Sequence, residues 1–302
     1  MLAPDWNDYK ILGSGDGLKL ERWKNVTLLR PDPQAIWRAT VDYGKFDCHA
    51  RYERDRNGGG RWIVNKPMPE QWTVDWRKYS FYVKPTGFKH TGLFPEQAVN
   101  WDKLSAIVKE KAARGEKPRI LNLFAYTGAS TAVLAESGAH VTHVDAAKGM
   151  VDRARQNCAL NKAPTENTRF IIDDCKKFVA REIKRGKMYD AVVMDPPSYG
   201  RGASGEVWRM EDDIFDLVSL TAKLLDNPTF FLINSYTTGL QPQTIANILT
   251  LTLPRGAVQA YEVCLPTERD IALPCGCSGL WQSSAVHTSR HTSSAVAPPS
   301  VM

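Results

Sequence analysis

Up to residue 92 the apolar positions come in short runs. Segments rich in Trp, Tyr, Val and Thr are broken by Gly, Pro and Asp. That rhythm predicts strands at 26–30, 61–64 and 80–84, with Asn57-Gly58-Gly59-Gly60 as a hairpin turn. Residues 33–39 read as either a short helix start or an ordered loop. The Gly-Ser-Gly-Asp-Gly stretch at 13–17 reads as a turn, because no helix follows it. Farther along, the pattern alternates. Apolar strand runs are predicted at 120–124, 140–145, 168–172, 189–195 and 229–234, and helical periodicity at 129–137, 148–160, 176–185, 212–225 and 242–252. Strands alternating with helices of this length indicate βαβ units and a mostly parallel sheet, buried on both faces. The fold class is therefore α/β with a small β-rich N-terminal domain at 1–92, a second domain at 93–282 and a tail at 283–302. From 282 onward the chain is almost free of large apolar residues, so a disordered tail is expected there.

Composition adds limits. The chain has 302 residues, 43% hydrophobic and 24% charged, ample for a packed core without cross-links. Its net charge of +6 is compatible with a polyanionic partner. The six cysteines include no CxxC pair, and they are read as reduced thiols of a cytoplasmic protein. The N-terminus lacks the apolar core of a signal peptide, and no apolar run nears the ~20 residues of a membrane span. His287 and His291 lie four apart without nearby carboxylate or Cys ligands, so no metal site is expected.

Candidate chemistry sits at strand ends, where open α/β sheets bind ligands. The first strand of the alternating region leads into Phe124-Ala125-Tyr126-Thr127-Gly128-Ala129-Ser130. Gly128 stands at the turn into the helix, where a missing Cβ would let a ligand approach, and Ser130 is a candidate cap. The second strand ends in Asp145, placed to accept hydrogen bonds from ribose hydroxyls. The third ends in Asp173-Asp174, where a carboxylate would meet an adenine amino group. A nicotinamide site would need GxGxxG after the first strand, and only one glycine is present. The fourth strand ends in Asp195-Pro196-Pro197-Ser198-Tyr199. Two prolines stiffen that backbone, Asp195 and the Pro196 carbonyl are placed to accept from an exocyclic amine, and Tyr199 is a candidate for stacking on a base. Arg201 and Arg209 are candidate phosphate contacts. Basic residues at 51, 54, 56, 61, 66, 77, 78, 84 and 89 interleave with Trp62, Trp72, Trp76 and Tyr82, a mixture suited to single-stranded RNA.

Taken together, the 122–128 segment NLFAYTG, Asp145, Asp173-Asp174 and Asp195–Tyr199 resemble the class I S-adenosylmethionine-dependent methyltransferases. Within them, the chain is similar to the bacterial 23S rRNA group of cytosine-C5 and guanine-N2 enzymes, whose segment before the first strand Thr91–Gln97 also resembles. The resemblance covers roughly residues 84–281. It implies a seven-stranded Rossmann-like sheet, S-adenosyl-L-methionine as cofactor and ribosomal RNA as substrate. It also implies that Phe124–Gly128 surround the methionine part, Asp145 holds the ribose, Asp173 or Asp174 lies near adenine, and Asp195–Tyr199 face the acceptor. A sulfonium cofactor has no pyrophosphate, which fits the single glycine. Cytosine-C5 chemistry would need a cysteine nucleophile, but the fifth strand ends Asn234-Ser235-Tyr236. Cys275 and Cys277 would reach the site only if the last strand returned to it. The competing functions are a methyltransferase for protein or small molecules, a nicotinamide-dependent oxidoreductase, and an RNA-binding protein without activity.

Overall fold

The computed structural model describes residues 1–4, 6–55, 59–87, 89–201 and 205–284. Asn57 and Gly58 of the expected hairpin turn, the basic residue Arg56 before it, residues 202–204, and the tail from 285 with its two histidines lie outside the described residues.

The N-terminal part is β-rich, as its pattern predicts, but holds more strands than the pattern revealed. β1 (Tyr9–Gly15), β2 (Leu18–Trp23), β3 (Val26–Pro31), β4 (Ala50–Arg54) and β5 (Gly60–Val64) form one sheet in chain order, antiparallel except for β3 with β4. Asp16 and Gly17, at φ 49° and 74°, turn β1 into β2, so the glycine stretch is half strand and half turn. Residues 33–39 form an ordered loop. β6 (Trp72–Trp76) and β7 (Tyr79–Val83) make a separate hairpin.

α1 (Ala98–Ala113), which the pattern did not reveal, leads into the alternating region. There follow β8 (Arg119–Leu123), α2 (Ala129–Glu136), β9 (His140–Asp145), α3 (Lys148–Leu160), β10 (Thr168–Ile172), α4 (Cys175–Lys184) and β11 (Tyr189–Met194). A short hairpin, β12 (Tyr199–Arg201) and β13 (Val207–Arg209), precedes α5 (Met210–Ala222), β14 (Leu225–Ser235), α6 (Pro242–Thr252), β15 (Gly256–Pro266) and β16 (Ala272–Ser283). The strand order is β10-β9-β8-β11-β14-β16-β15. Neighbours are parallel from β10 to β14, and β16 is inserted antiparallel between β14 and β15. Gln282 and Ser283, expected in the tail, are thus paired in β16.

Alternate residues of each central strand face opposite layers, as a period of two requires. Ala191 and Val193 of β11 join the layer of α1 and α2, while Val192 and Met194 join that of α4, α5 and α6. The first layer continues into the N-terminal part. Trp23, Trp76 and Phe81 share it with Trp101 of α1, and Trp76 and Trp101 meet edge to face at 5.3 Å. Asn157 of α3 and Asn161, which caps its end, bind the β7 backbone at Tyr82 and Ser80.

This packing corrects the expected surface of interleaved basic and aromatic residues. Alternation along β6 puts Trp72 and Trp76 on one face, where Trp76 is fully buried, and Trp62 of β5, Trp72 and Trp76 donate to the carbonyls of Thr86, Trp23 and Pro4.

One buried ion pair stiffens the N-terminal sheet. Arg30 grips Glu21 at 2.5 and 2.7 Å, and Tyr9 donates to the same carboxylate at 2.7 Å. Burial alone would raise the Glu21 carboxyl, but Arg30 and Lys19 outweigh it and hold it at about 2. Arg30→Met strands that charge, so a stability loss of about 3–5 kcal/mol is expected in denaturant unfolding. The pair's contribution is present above the unfolded carboxylate range and is lost as pH falls toward about 2. A variant as stable as the parent at neutral pH would show that the pair holds nothing together.

Candidate functional site

The strand order reverses between β8 and β11, and the cleft outside their carboxyl ends is where such sheets take ligands. A cavity of about 930 Å³ opens there. The carboxyl ends of β9, β11 and β14 supply Asp145, Asp195 and Tyr236 to its wall. The N-terminal part closes it from the other side with Lys19, Arg30 and Lys89.

The turn after β8 is unusual backbone. Phe124 and Tyr126 both have positive φ, 54° and 50°, a conformation that costs about 1–3 kcal/mol at non-glycine residues. Several bonds hold it there. Ala125 N–H donates to Val144 O, Tyr126 N–H to Asp145 Oδ2 at 2.9 Å, and Asn157 to Thr127 O at 2.8 Å. Thr127 is buried, and its hydroxyl donates to Gly92 O. Phe124 through Ser130 line a second, smaller cavity with Asp195. Gly128 lies where the sequence placed it, at φ 79° on that cavity, and packing also requires it: a Cβ there would come within 2.5 Å of the Ala154 Cβ on α3. Gly128→Ala is accordingly expected to cost about 2–4 kcal/mol through strain and overpacking, read as a Tm lower by roughly 5–15 °C. An unchanged Tm would refute this packing argument.

Asp145 closes β9. Its Oδ2 accepts from Tyr126 N–H and its Oδ1 from Ala147 N–H, both at 2.9 Å. Each carboxylate oxygen has two lone pairs, so each retains room for one further donor. Burial raises its pKa and the two amides pull it back. Asp173 and Asp174 part company. Asp173 is ion-paired with Arg181 and does not line the cavity. Asp174 does line it and caps α4, its Oδ1 accepting from Lys177 N–H at 2.8 Å.

The segment after β11 is pinned at several points. Trp208 of β13 donates to Pro197 O at 2.6 Å, Met210 N–H to Ser198 O, and Thr237 to the Ser198 hydroxyl at 2.8 Å. Asp195 lines both cavities, and its Oδ1 is buried with no partner among the described residues. Burial, with repulsion from Glu96, pushes it up to about 7. Pro196 and Pro197 also line the large cavity. Tyr199 does not: it is 50% exposed on β12, where its hydroxyl accepts from Arg201. Gly200, Arg201, Val207 and Trp208 of the short hairpin reach the cavity, while the paired residues Tyr199 and Arg209 at its far end do not. Arg201 reaches the cavity wall, and Arg209 is not part of it.

Several residues entered the site without a sequence assignment. Glu96 and Gln97 sit on the turn before α1, and Gln97 donates to the Tyr236 hydroxyl at 2.6 Å. Behind them, Asn100, Asn234, Ser278 and Tyr261 form a buried hydrogen-bonded network tying α1 to β14, β16 and β15. Phe94 bridges the two halves, its ring 5.4 Å from those of His90, Tyr126 and Tyr236. Glu96 and Gln97 lie in a quoted segment, yet only the folding of β14 beside β16 shows what they face. The last strand does return to the rim, and Cys275 lines the cavity. Burial, with repulsion from Glu96, holds its thiol far above the ordinary range, hence protonated at neutral pH.

No group of metal-ligating side chains occurs among the described residues, and no helix among them is long and apolar enough to cross a membrane.

Comparison with known proteins agrees with this geometry. A solved S-adenosylmethionine-dependent methyltransferase from Agrobacterium tumefaciens superposes with a TM-score of 0.86 at 29% identity, covering 94% of this chain and 93% of that one. Curated relatives include ribosomal RNA large subunit methyltransferase K of Neisseria meningitidis, 25% identical over 221 residues (70% of this chain), and methyltransferase I of Photobacterium profundum, 30% identical over 143 residues (47% of this chain). The matches span 59% and 34% of those relatives' own lengths. The sequence model for S-adenosylmethionine-dependent methyltransferases matches residues 29–225, more than half of the chain. With the strand order and the rim carboxylates, that match makes the chain a member of the S-adenosylmethionine-dependent methyltransferase family.

Proposed function

We propose that the chain methylates an exocyclic amine of an RNA base, ribosomal RNA first among candidates. The observation that carries this reading is Asp195: a carboxylate on a proline-stiffened turn, with one oxygen buried and unpartnered, in the cavity that Asp145 also lines. An unsatisfied buried acceptor is costly unless a ligand donates to it, and an amine N–H is such a donor. Asp145 fits ribose hydroxyls through its spare lone pairs, Asp174 fits adenine, and Phe124–Ser130 fit the amino-acid part. When bound, the cofactor supplies an electrophilic methyl group on sulfur. The protein's share is to hold the amine in line, with Asp195 and the Pro196 carbonyl accepting hydrogen bonds from its N–H groups and Asp195 taking the one proton lost on methylation, and to keep water out. Trp208 takes the place first assigned to Tyr199 as the aromatic beside the Pro-Pro turn.

Carbon methylation is less well supported. β14 ends in Asn234-Ser235, with Tyr236 next, and the Cys275 thiol is held protonated. RNA as acceptor draws support from the names of the curated relatives and from the cationic wall. It implies a cytoplasmic setting, which the six free cysteines fit. The test compares nucleosides of RNA from cells with and without the protein by mass spectrometry. Loss of an N-methylated nucleoside is expected. Loss of a C-methylated one, or of none, would overturn the reading, and methyl transfer to a protein or small molecule would replace it.

A further inference from the structure

The wall facing the sheet is built of charges that do not cancel. Arg30 is spent on Glu21 and on the Lys89 carbonyl, at 2.8 Å. Lys19 is paired with Asp32 at 3.1 Å. The third cation, Lys89, is half-buried and lines the cavity. Among the described residues its ammonium has the Pro31 carbonyl at 3.4 Å and no carboxylate in ion-pair range. Two carboxylates thus answer three cations. Glu96, the other acid nearby, is raised by burial and, among the described residues, forms no ion pair with any of the three. The uncompensated charge therefore faces the cavity that Asp195, Pro196 and Pro197 also line.

We propose that Lys89, with Lys19 beside it, is a phosphate subsite that seats a backbone phosphate of the acceptor nucleotide and thereby sets the base against Asp195. This deepens the RNA reading and rests on it for the identity of the acceptor. An isolated ammonium in such a place is poorly solvated, and an anion with several acceptor oxygens relieves it. Burial, together with repulsion from Lys19, Arg54 and Arg30 that Asp32 only partly offsets, lowers Lys89 to about 8. Binding should therefore weaken as pH rises past that value.

The test uses the full chain saturated with S-adenosylhomocysteine, with inorganic phosphate as the probe followed by phosphorus NMR. Saturable binding in the millimolar range is expected. Lys89→Met should weaken it at least about tenfold and Lys89→Arg should retain it, with S-adenosylhomocysteine affinity unchanged in both. No saturable binding by the parent, or equal binding by Lys89→Met, overturns the proposal. If Lys89→Met instead weakens S-adenosylhomocysteine and phosphate competes with that ligand, the lysine serves the cofactor carboxylate and the acceptor subsite is refuted. Methyl transfer to RNA is assayed separately: Lys89→Met should raise KM about tenfold with kcat little changed. Phosphate binding without any transfer to RNA would sink the RNA reading and leave the anion site standing.

Discussion

Replacing Asp195 by alanine is expected to lower methyl transfer by at least about a thousandfold while cofactor affinity stays within about threefold. The asymmetry follows from position. Asp195 stands at the end of β11, on the far side of β8 from Asp145 at the end of β9, and both residues line the shared cavity. Removing it deletes an acceptor for the amine without touching the bonds that hold Asp145. Asp195→Asn keeps the shape but offers a donor in place of an anion, so it should be nearly as impaired. Because the parent carboxyl is raised to about 7, it is partly protonated at neutral pH, and kcat/KM should fall as pH drops below about 7. Steady-state rates from pH 5.5 to 8.5 would show that limb. A profile flat across 7, or a variant with ordinary turnover, would remove Asp195 from the reaction.

The second large effect concerns the other carboxylate. Asp145→Ala should weaken S-adenosylmethionine binding by about 2–4 kcal/mol, some two orders of magnitude, because charge-assisted bonds to two hydroxyls are lost together. Two backbone amides also lose their acceptor, and one of them belongs to Tyr126, which already sits at positive φ. Part of the deficit should therefore appear as a looser turn after β8, with faster amide exchange at Tyr126 and Ala147. Calorimetry reads the affinity. An affinity within threefold of the parent would place the ribose elsewhere.

How much of this was legible beforehand depends on what encodes each element. The parallel strands β8 to β11 and their helices were visible because two-faced burial leaves long apolar runs and clear periodicity. That alone put Gly128, Asp145 and Asp195 on one rim. α1 was missed although Trp101, Leu104 and Val108 fall on one helical face, because Asn100, Asp102, Ser105 and several lysines interrupt the run. β16 was missed for a steric reason. It carries Gly276, Ser278 and Gly279, since α6 packs so close that a Cβ at Gly279 would lie 2.4 Å from Ile245. A strand written in small residues has no β-branched signature.

The site shows the same division. Asp145 and Asp195 could be found because each ends a strand. Asp173 and Asp174 could not be told apart, since which one turns outward depends on the α4 cap. Tyr199 was the more conspicuous aromatic, yet the β12–β13 hairpin presents Trp208 instead. Lys89, Glu96 and Tyr236 come together only through the packing of the N-terminal part on the sheet, and no local spacing encodes that.

The central claim is spatial: Asp145 and Asp195 face one bound cofactor from the ends of the two strands that flank β8. The direct test is a crystal structure with S-adenosylhomocysteine. It should show both ribose hydroxyls about 2.6–3.0 Å from the Asp145 carboxylate and the sulfur turned toward Asp195. Density for the ligand in a cavity without these two residues, or a ribose bound away from Asp145, would contradict the account.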